Sequence, residues 1–189
     1  VDGQVDALMR KAADALSDAG WDVVEAEIPD ARAAWEVWLN LLINESAQTG
    51  GADVDHLVSD DYKAAMGAAG QFSTPADLKG FLGLMQARLG FIRQWQLLFE
   101  DFPVVLAPTF LTRTMPKGFD ALATPDQKAK LWANDIAFMG LFNLLGLPCA
   151  VTPIGMVEGA PHGIQCVAGR YREDMALAAA EAIEAGLGR

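Results

Sequence analysis

Four short segments, residues 21–28, 103–107, 149–154 and 164–168, are the stretches of this chain with strand character. Everything between them is helical in period or marked as loop by Gly and Pro. Four short strands cannot close a barrel, so they belong to a partly built sheet that helices must cover. The expected fold is therefore α/β, with helices packed on a small, incomplete mixed sheet in one domain over residues 1–189.

The helical segments carry their own start and stop signals. Residues 6–19 place Leu8, Ala12, Ala15, Leu16 and Ala19 at helical spacing, and Gly20 fits the C-terminal end. Residues 31–48 carry an apolar stripe of Ala34, Trp35, Trp38, Leu41 and Leu42, closed by Gly50-Gly51. Residues 56–67 form a short helix, with Ser59, Asp60 and Asp61 at its start. Thr74 is the expected N-cap of a long helix that has Pro75 in its first position and reaches about Glu100. Thr124-Pro125-Asp126-Gln127 has the form of a capping box. The helix it opens is predicted to run unbroken to Leu145 and stop at Gly146. Residues 159–163 read as a turn and 172–185 as the last helix.

Composition narrows the possible partners. The chain is 52% hydrophobic and 21% charged, which is globular rather than disordered. With 14 basic and 25 acidic residues the net charge is −11, which argues against nucleic-acid or anionic-membrane partners. No run is long enough for a membrane helix. The N-terminus, Val1-Asp2-Gly3-Gln4, has no basic region, no signal core and no initiator Met, so a trimmed or excised piece is expected. Cys149 and Cys166 lie in predicted strands and read as small buried hydrophobes rather than a bridge.

Catalytic chemistry is hard to find. The four serines are Ser17, Ser46, Ser59 and Ser73. Two lie inside helices and two sit at helix entries, where capping is the expected role. None has the glycine-rich surroundings that a serine nucleophile with backbone oxyanion donors needs. The six lysines lie in polar surroundings and read as solvated surface. His56 and His162 are isolated, and Asp53, Asp55 and His56 read as a solvated acidic loop rather than a metal site. No catalytic residue, metal site or cofactor is expected.

Four motifs nevertheless occur in a telling order. They are Leu106-Ala107-Pro108-Thr109, Asn143-Leu144-Leu145-Gly146-Leu147-Pro148, Gly163-Ile164-Gln165 and Gly169-Arg170-Tyr171-Arg172-Glu173. Each alone has a bland reading as a strand end, a helix stop or a first-turn charge. Together the chain resembles the C-terminal half of the amidase signature family, whose members hydrolyse carboxamides with a serine nucleophile, a second serine on a cis peptide and a lysine base. The unit of helix, Gly20 and residues 21–28 is also similar to that family.

The resemblance implies that residues 1–189 are the C-terminal portion of an amidase domain and that the catalytic serines and lysine belong to an absent N-terminal half. It implies that the loop after the Pro-Thr strand end lines a substrate pocket, here Thr109, Phe110, Leu111 and Thr112. It gives Trp38, and Trp35 beside it, a lining role, with core packing the favoured alternative for both tryptophans. The turn residue His162 stands where the family commonly has Leu and reads as a surface substitution. The implied partners are a small amide substrate in the complete enzyme and either the missing half or a second copy (a homo-oligomer), in the cytoplasm. The alternatives are part of an amidotransferase of the A type, or a catalytically silent binding or scaffold module.

Overall fold

A computed structural model describes residues 2–49 and 56–188, the side chains of 120 and 121 excepted, and the chain divides into two compact units. One, the sheet unit, comprises Val1–Pro29, Ile92–Thr114 and Leu145–Arg189; the other, the helical unit, comprises Asp30–Phe91 and Met115–Leu144. The expected Gly50-Gly51 helix stop and the acidic positions Asp53 and Asp55 lie outside the described residues.

The sheet unit begins with α1 (Gly3–Asp18), whose first turn is capped by Asp2 accepting from the Gln4 N–H. The sheet holds β1 (Val104–Pro108), β2 (Cys149–Val157) and β3 (Ala160–Ala168) in the order β1-β3-β2. Both pairings are antiparallel, so the mixed sheet expected from the sequence is antiparallel throughout. The reason lies at residues 158–159. Glu158 (φ +48°) and Gly159 (φ +81°) form a two-residue left-handed turn, which folds β3 back on β2 as a hairpin. The expected turn at 159–163 is thus shorter, and His162 lies within β3. Pro108 and Pro153 sit on the two outer strands, where a missing N–H leaves no central ladder bond unmade.

Helix α8 (Glu173–Gly186) completes the unit. Its Ala179, Ala180 and Ile183 pack with Ala12 and Leu16 of α1 onto Ile154, Ile164 and Cys166 of the sheet. Gly186 permits the close approach of α8 to α1, since a Cβ there would stand 2.8 Å from that of Ala15. Residues 21–28 do not form the expected strand. Trp21 and Val23 do turn toward the core, as the alternation requires, while Asp22 and residues 24–27 are exposed. Side-chain alternation specifies a half-buried face, but a strand also needs a neighbour, and none among the described residues pairs with this segment.

The helical unit contains α2 (Ala31–Thr49), α3 (Asp60–Gly70) and the first part of α4 (Leu78–Asp101). After the short α5 (Phe119–Leu122) come α6 (Pro125–Lys130), a π-helical turn (Leu131–Asp135) and α7 (Ala137–Leu145). Ser59 caps α3, and Thr124 and Gln127 form the full capping box on α6. The unbroken helix expected over 124–145 is interrupted, because the Ile136 N–H reaches back five residues to the Leu131 carbonyl at 3.3 Å. Asn134 and Asp135 are weak helix formers at that point.

Thr74 does not cap α4. Its N–H donates instead to Asn40 Oδ1 of α2 at 2.8 Å, and the Ala76 N–H donates to Asn44 Oδ1 at 2.7 Å. The helix therefore starts later, with Asp77 accepting from the Gly80 N–H at 2.8 Å. Ser73 likewise joins this clamp, donating to Asn40 Oδ1, rather than capping a helix. Trp35, Leu39 and Ala69 form the buried centre, with Trp38, Phe72 and Trp132 packed around it.

Candidate functional site

The end of β1 leads directly into the segment that the sequence nominates as a pocket wall. Thr109, Phe110, Leu111 and Thr112 form a half-buried, non-helical loop in the sheet unit. Its shape is set largely by β3. The Thr109 N–H and hydroxyl both donate to the Gly163 carbonyl, at 3.2 and 3.1 Å. A Cβ on Gly163 would stand 3.3 Å from the Thr109 methyl, so this position favours the smallest residue. Further along, the Thr114 hydroxyl donates to the Pro161 carbonyl at 3.1 Å, and Arg113 pairs with Glu158 of the hairpin turn. From α1, the Asp2 N–H donates to the Leu111 carbonyl at 2.8 Å.

Gln165 is a residue that sequence reasoning noted only as part of a motif. It is buried in β3, donates through Nε2 to the Pro108 carbonyl at 2.9 Å, and accepts from the Cys149 thiol at 3.6 Å. It thereby pins the strand end just before the loop. The available signal was a lone amide inside the apolar run Ile164, Cys166, Val167, Ala168, which a buried strand tolerates only with its hydrogen bonds made.

Trp38 lies in the helical unit. Its ring stacks on Trp132 at 6.2 Å with a 25° interplanar angle, and Gly140 lies against it so closely that a Cβ would stand 2.4 Å from the indole. Its neighbour Trp35 is buried edge-on to Phe72, with the Arg32 guanidinium 4.4 Å from its ring centre.

Three other sequence expectations need correction. His162 is buried, with 2% exposure, rather than at the surface, because the hairpin draws it into β3. Lys128, at the C-terminal end of the short α6, is buried rather than solvated. Cys149 is exposed and only Cys166 is buried, because the two occupy opposite faces of the β2–β3 pairing. Both cysteines are free. Burial pushes the Cys166 thiol up to about 12, so it is no thiolate nucleophile near neutral pH.

The four serines are an exposed position on α1 (Ser17), a half-buried one in α2 (Ser46), the α3 cap (Ser59) and the asparagine clamp (Ser73). Among the described residues no group of three or more His, Cys, Asp or Glu is placed to hold a metal ion, and no helix is long and apolar enough to cross a membrane.

Open depressions elsewhere among the described residues include two. One, of about 370 Å³, is lined by Gly146, Leu147, Pro148, Arg170, Tyr171 and Glu173, so two of the four sequence motifs converge there. Their shared task is visible in the backbone. Gly146 takes φ +64°, and Arg170 donates to the Leu145 carbonyl at 3.0 Å, so a hydrogen bond within the sheet unit joins the two motifs. The second, of about 680 Å³, lies along the first turns of α4 between Asp77 and Gln86.

A helix-covered three-stranded sheet with a pinned loop at one strand end, and serines in capping, packing or exposed positions, describes an α/β protein. The model of the amidase family matches residues 1–177, and the chain belongs to that family. It is 41% identical over 184 residues to an indoleacetamide hydrolase of Bradyrhizobium japonicum, covering 97% of this chain and 39% of that protein. It is 27% identical over 208 residues to the A subunit of the glutamyl-tRNA(Gln) amidotransferase of Lactobacillus gasseri, covering 97% and 42%. The fold is like that of 6-aminohexanoate cyclic dimer hydrolase, solved with its substrate, with a TM-score of 0.71 at 23% identity and coverage of 100% and 42%. The chain spans about two fifths of the length of the curated relatives it matches.

Proposed function

We propose that this chain is the C-terminal portion of a serine amidohydrolase that cleaves the C–N bond of a carboxamide through an acyl-enzyme. In this reading it supplies the scaffold and the wall of the substrate pocket, and the nucleophile comes from the part of the protein that its relatives have and this sequence does not contain. The observation that carries it is the pinned loop at the end of β1, in a chain that belongs to the amidase family and has no serine in a glycine-rich setting. Thr109, Phe110, Leu111 and Thr112 are the residues we assign to the wall, with Trp38 a second, separate candidate. The 41% identity to an indoleacetamide hydrolase and the apolar character of Phe110 and Leu111 support an aryl or otherwise apolar acyl group. Two unbridged cysteines suit the reducing cytoplasm, the compartment we assign.

The match to the amidotransferase supports a second reading, in which the amide cleaved is an ammonia donor. Its lower identity keeps it second. The test uses the protein translated from the whole reading frame, assayed on indoleacetamide and on a panel of aryl and aliphatic amides. Turnover is expected there, abolished by a serine-directed fluorophosphonate whose adduct maps outside residues 1–189. The isolated chain is expected to be inert. An adduct on Ser17, Ser46, Ser59 or Ser73 that tracks with lost activity overturns the assignment.

A further inference from the structure

We propose that His162 is an acid-operated latch for the 109–114 loop: the neutral imidazole lets the loop close over β3, and the imidazolium drives it open. The geometry converges on this one side chain. The loop is stapled to β3 on both flanks of His162, through Thr109 to the Gly163 carbonyl and through Thr114 to the Pro161 carbonyl. His162 is 2% exposed, and among the described residues neither ring nitrogen has a hydrogen-bond partner of normal geometry, the Phe110 carbonyl being its polar neighbour. In the alternation of β3 it shares a face with Ile164 and Cys166, both in the core beneath α1 and α8. Opposite it on β2 is Gly155, which leaves room for Leu8 of α1.

An uncharged ring tolerates such a place at a modest cost. A charged one is penalised, because a buried cation loses more hydration than its neighbours restore. Two groups oppose that penalty, the Phe110 carbonyl and the Asp2 carboxylate, and both favour the protonated form. They do not prevail, for burial holds the imidazole below its ordinary 6.5. Asp2 is already engaged in capping Gln4. The remaining charges on adjoining elements are committed elsewhere or exposed. Asp6 pairs with Arg10 on α1, where Lys11, Asp14 and Asp18 are exposed. Arg113 of the loop pairs with Glu158 of the turn, and Glu184 of α8 accepts from Thr152. Neither β1 nor β2 carries a charged side chain.

The sign follows from linkage. A histidine held below its ordinary value in the folded state gives stability that is present in full above that value and is lost as pH falls through the folded one. The elements nearest the ring differ in what holds them. Residues 164–168 are locked in the centre of the sheet, whereas the loop is held by a few side-chain and single backbone bonds. The loop therefore yields first.

The experiment follows the His162 imidazole resonance by NMR from pH 8 to 4, identified by its loss in His162→Phe, alongside hydrogen exchange of residues 109–115 corrected for intrinsic rate. His162 is expected to titrate below the ordinary 6.5. Protection of the loop is expected to fall as pH drops from the ordinary histidine value through the His162 midpoint, while residues 164–168 stay protected. In His162→Phe that step is expected to vanish. A His162 midpoint at or above 6.5 overturns the latch, as does loop protection that is flat through the His162 midpoint, or a step that persists in His162→Phe. If the variant does not fold, the coincidence of the two wild-type midpoints decides. The latch stands whether or not the loop lines a substrate site, since neither measurement involves an amide.

Discussion

The two units solve the same problem, enclosing apolar surface in a modest number of residues, by different means. The sheet unit uses small and aliphatic side chains in register: Ala12, Ile154, Ile164, Ala179 and Ile183 interdigitate between two helices and three strands. The helical unit uses few but large groups, with Trp35, Trp38, Phe72 and Trp132 around Leu39, and ties its chain crossings with asparagines. The sheet unit distributes its stability over many backbone bonds. The helical unit concentrates it in a few side chains, so single substitutions there should be felt more strongly.

Trp35→Ala is the strongest test of that contrast. Emptying a site that is 1% exposed should cost about 3–5 kcal/mol. Urea denaturation followed by circular dichroism measures it, and a loss below about 1 kcal/mol would remove the aromatic core from its central place. Gly140→Ala comes next. A Cβ 2.4 Å from the Trp38 ring forces a stacked indole to move, and overpacking of this kind costs about 1–3 kcal/mol despite the better helix propensity of alanine. The Trp38 fluorescence should shift with it; unchanged emission and stability would show that the stack is loose.

In the sheet unit, Gln165→Ala removes the one side chain that satisfies the buried Pro108 carbonyl. The expected loss is about 1–2 kcal/mol, accompanied by faster exchange in the 109–115 loop. Stability lost without any change in the loop would separate Gln165 from loop positioning. The smallest effect belongs to Thr124→Ala, which breaks the capping box on α6 for about 1 kcal/mol. Thr74→Ala serves as its control, because the backbone N–H of Thr74, not its side chain, makes the bond to Asn40. Equal losses at the two threonines would contradict the observed start of α4.

Elements whose signals are local were legible. The Thr124 box, the Ser59 cap, the apolar run ending at Pro108 and the left-handed Gly146 all act within a few residues of themselves. The family resemblance was legible too, because its motifs mark helix ends, strand ends and turns. The placement of Thr109–Thr112 in a loop after β1 agrees with the sequence, but the source of its restraint does not appear there. Gly163, Gln165 and Pro161 lie some fifty residues away and reach the loop only through the β1–β3 register.

What the sequence determined by itself was therefore the inventory: which segments are helical, where some of them are capped, which runs are apolar enough for a sheet, and which family the motifs resemble. Tertiary structure decided the rest. It made the sheet antiparallel by the turn at Glu158 and Gly159, withheld a partner from residues 21–28, delayed α4 by drawing Thr74 and Ala76 onto Asn40 and Asn44, and broke the 124–145 helix at Leu131–Asp135. It also turned His162 from an expected surface residue into a buried one. Propensity and periodicity are summed over neighbours in sequence, whereas burial and hydrogen-bond satisfaction depend on whatever the fold brings alongside.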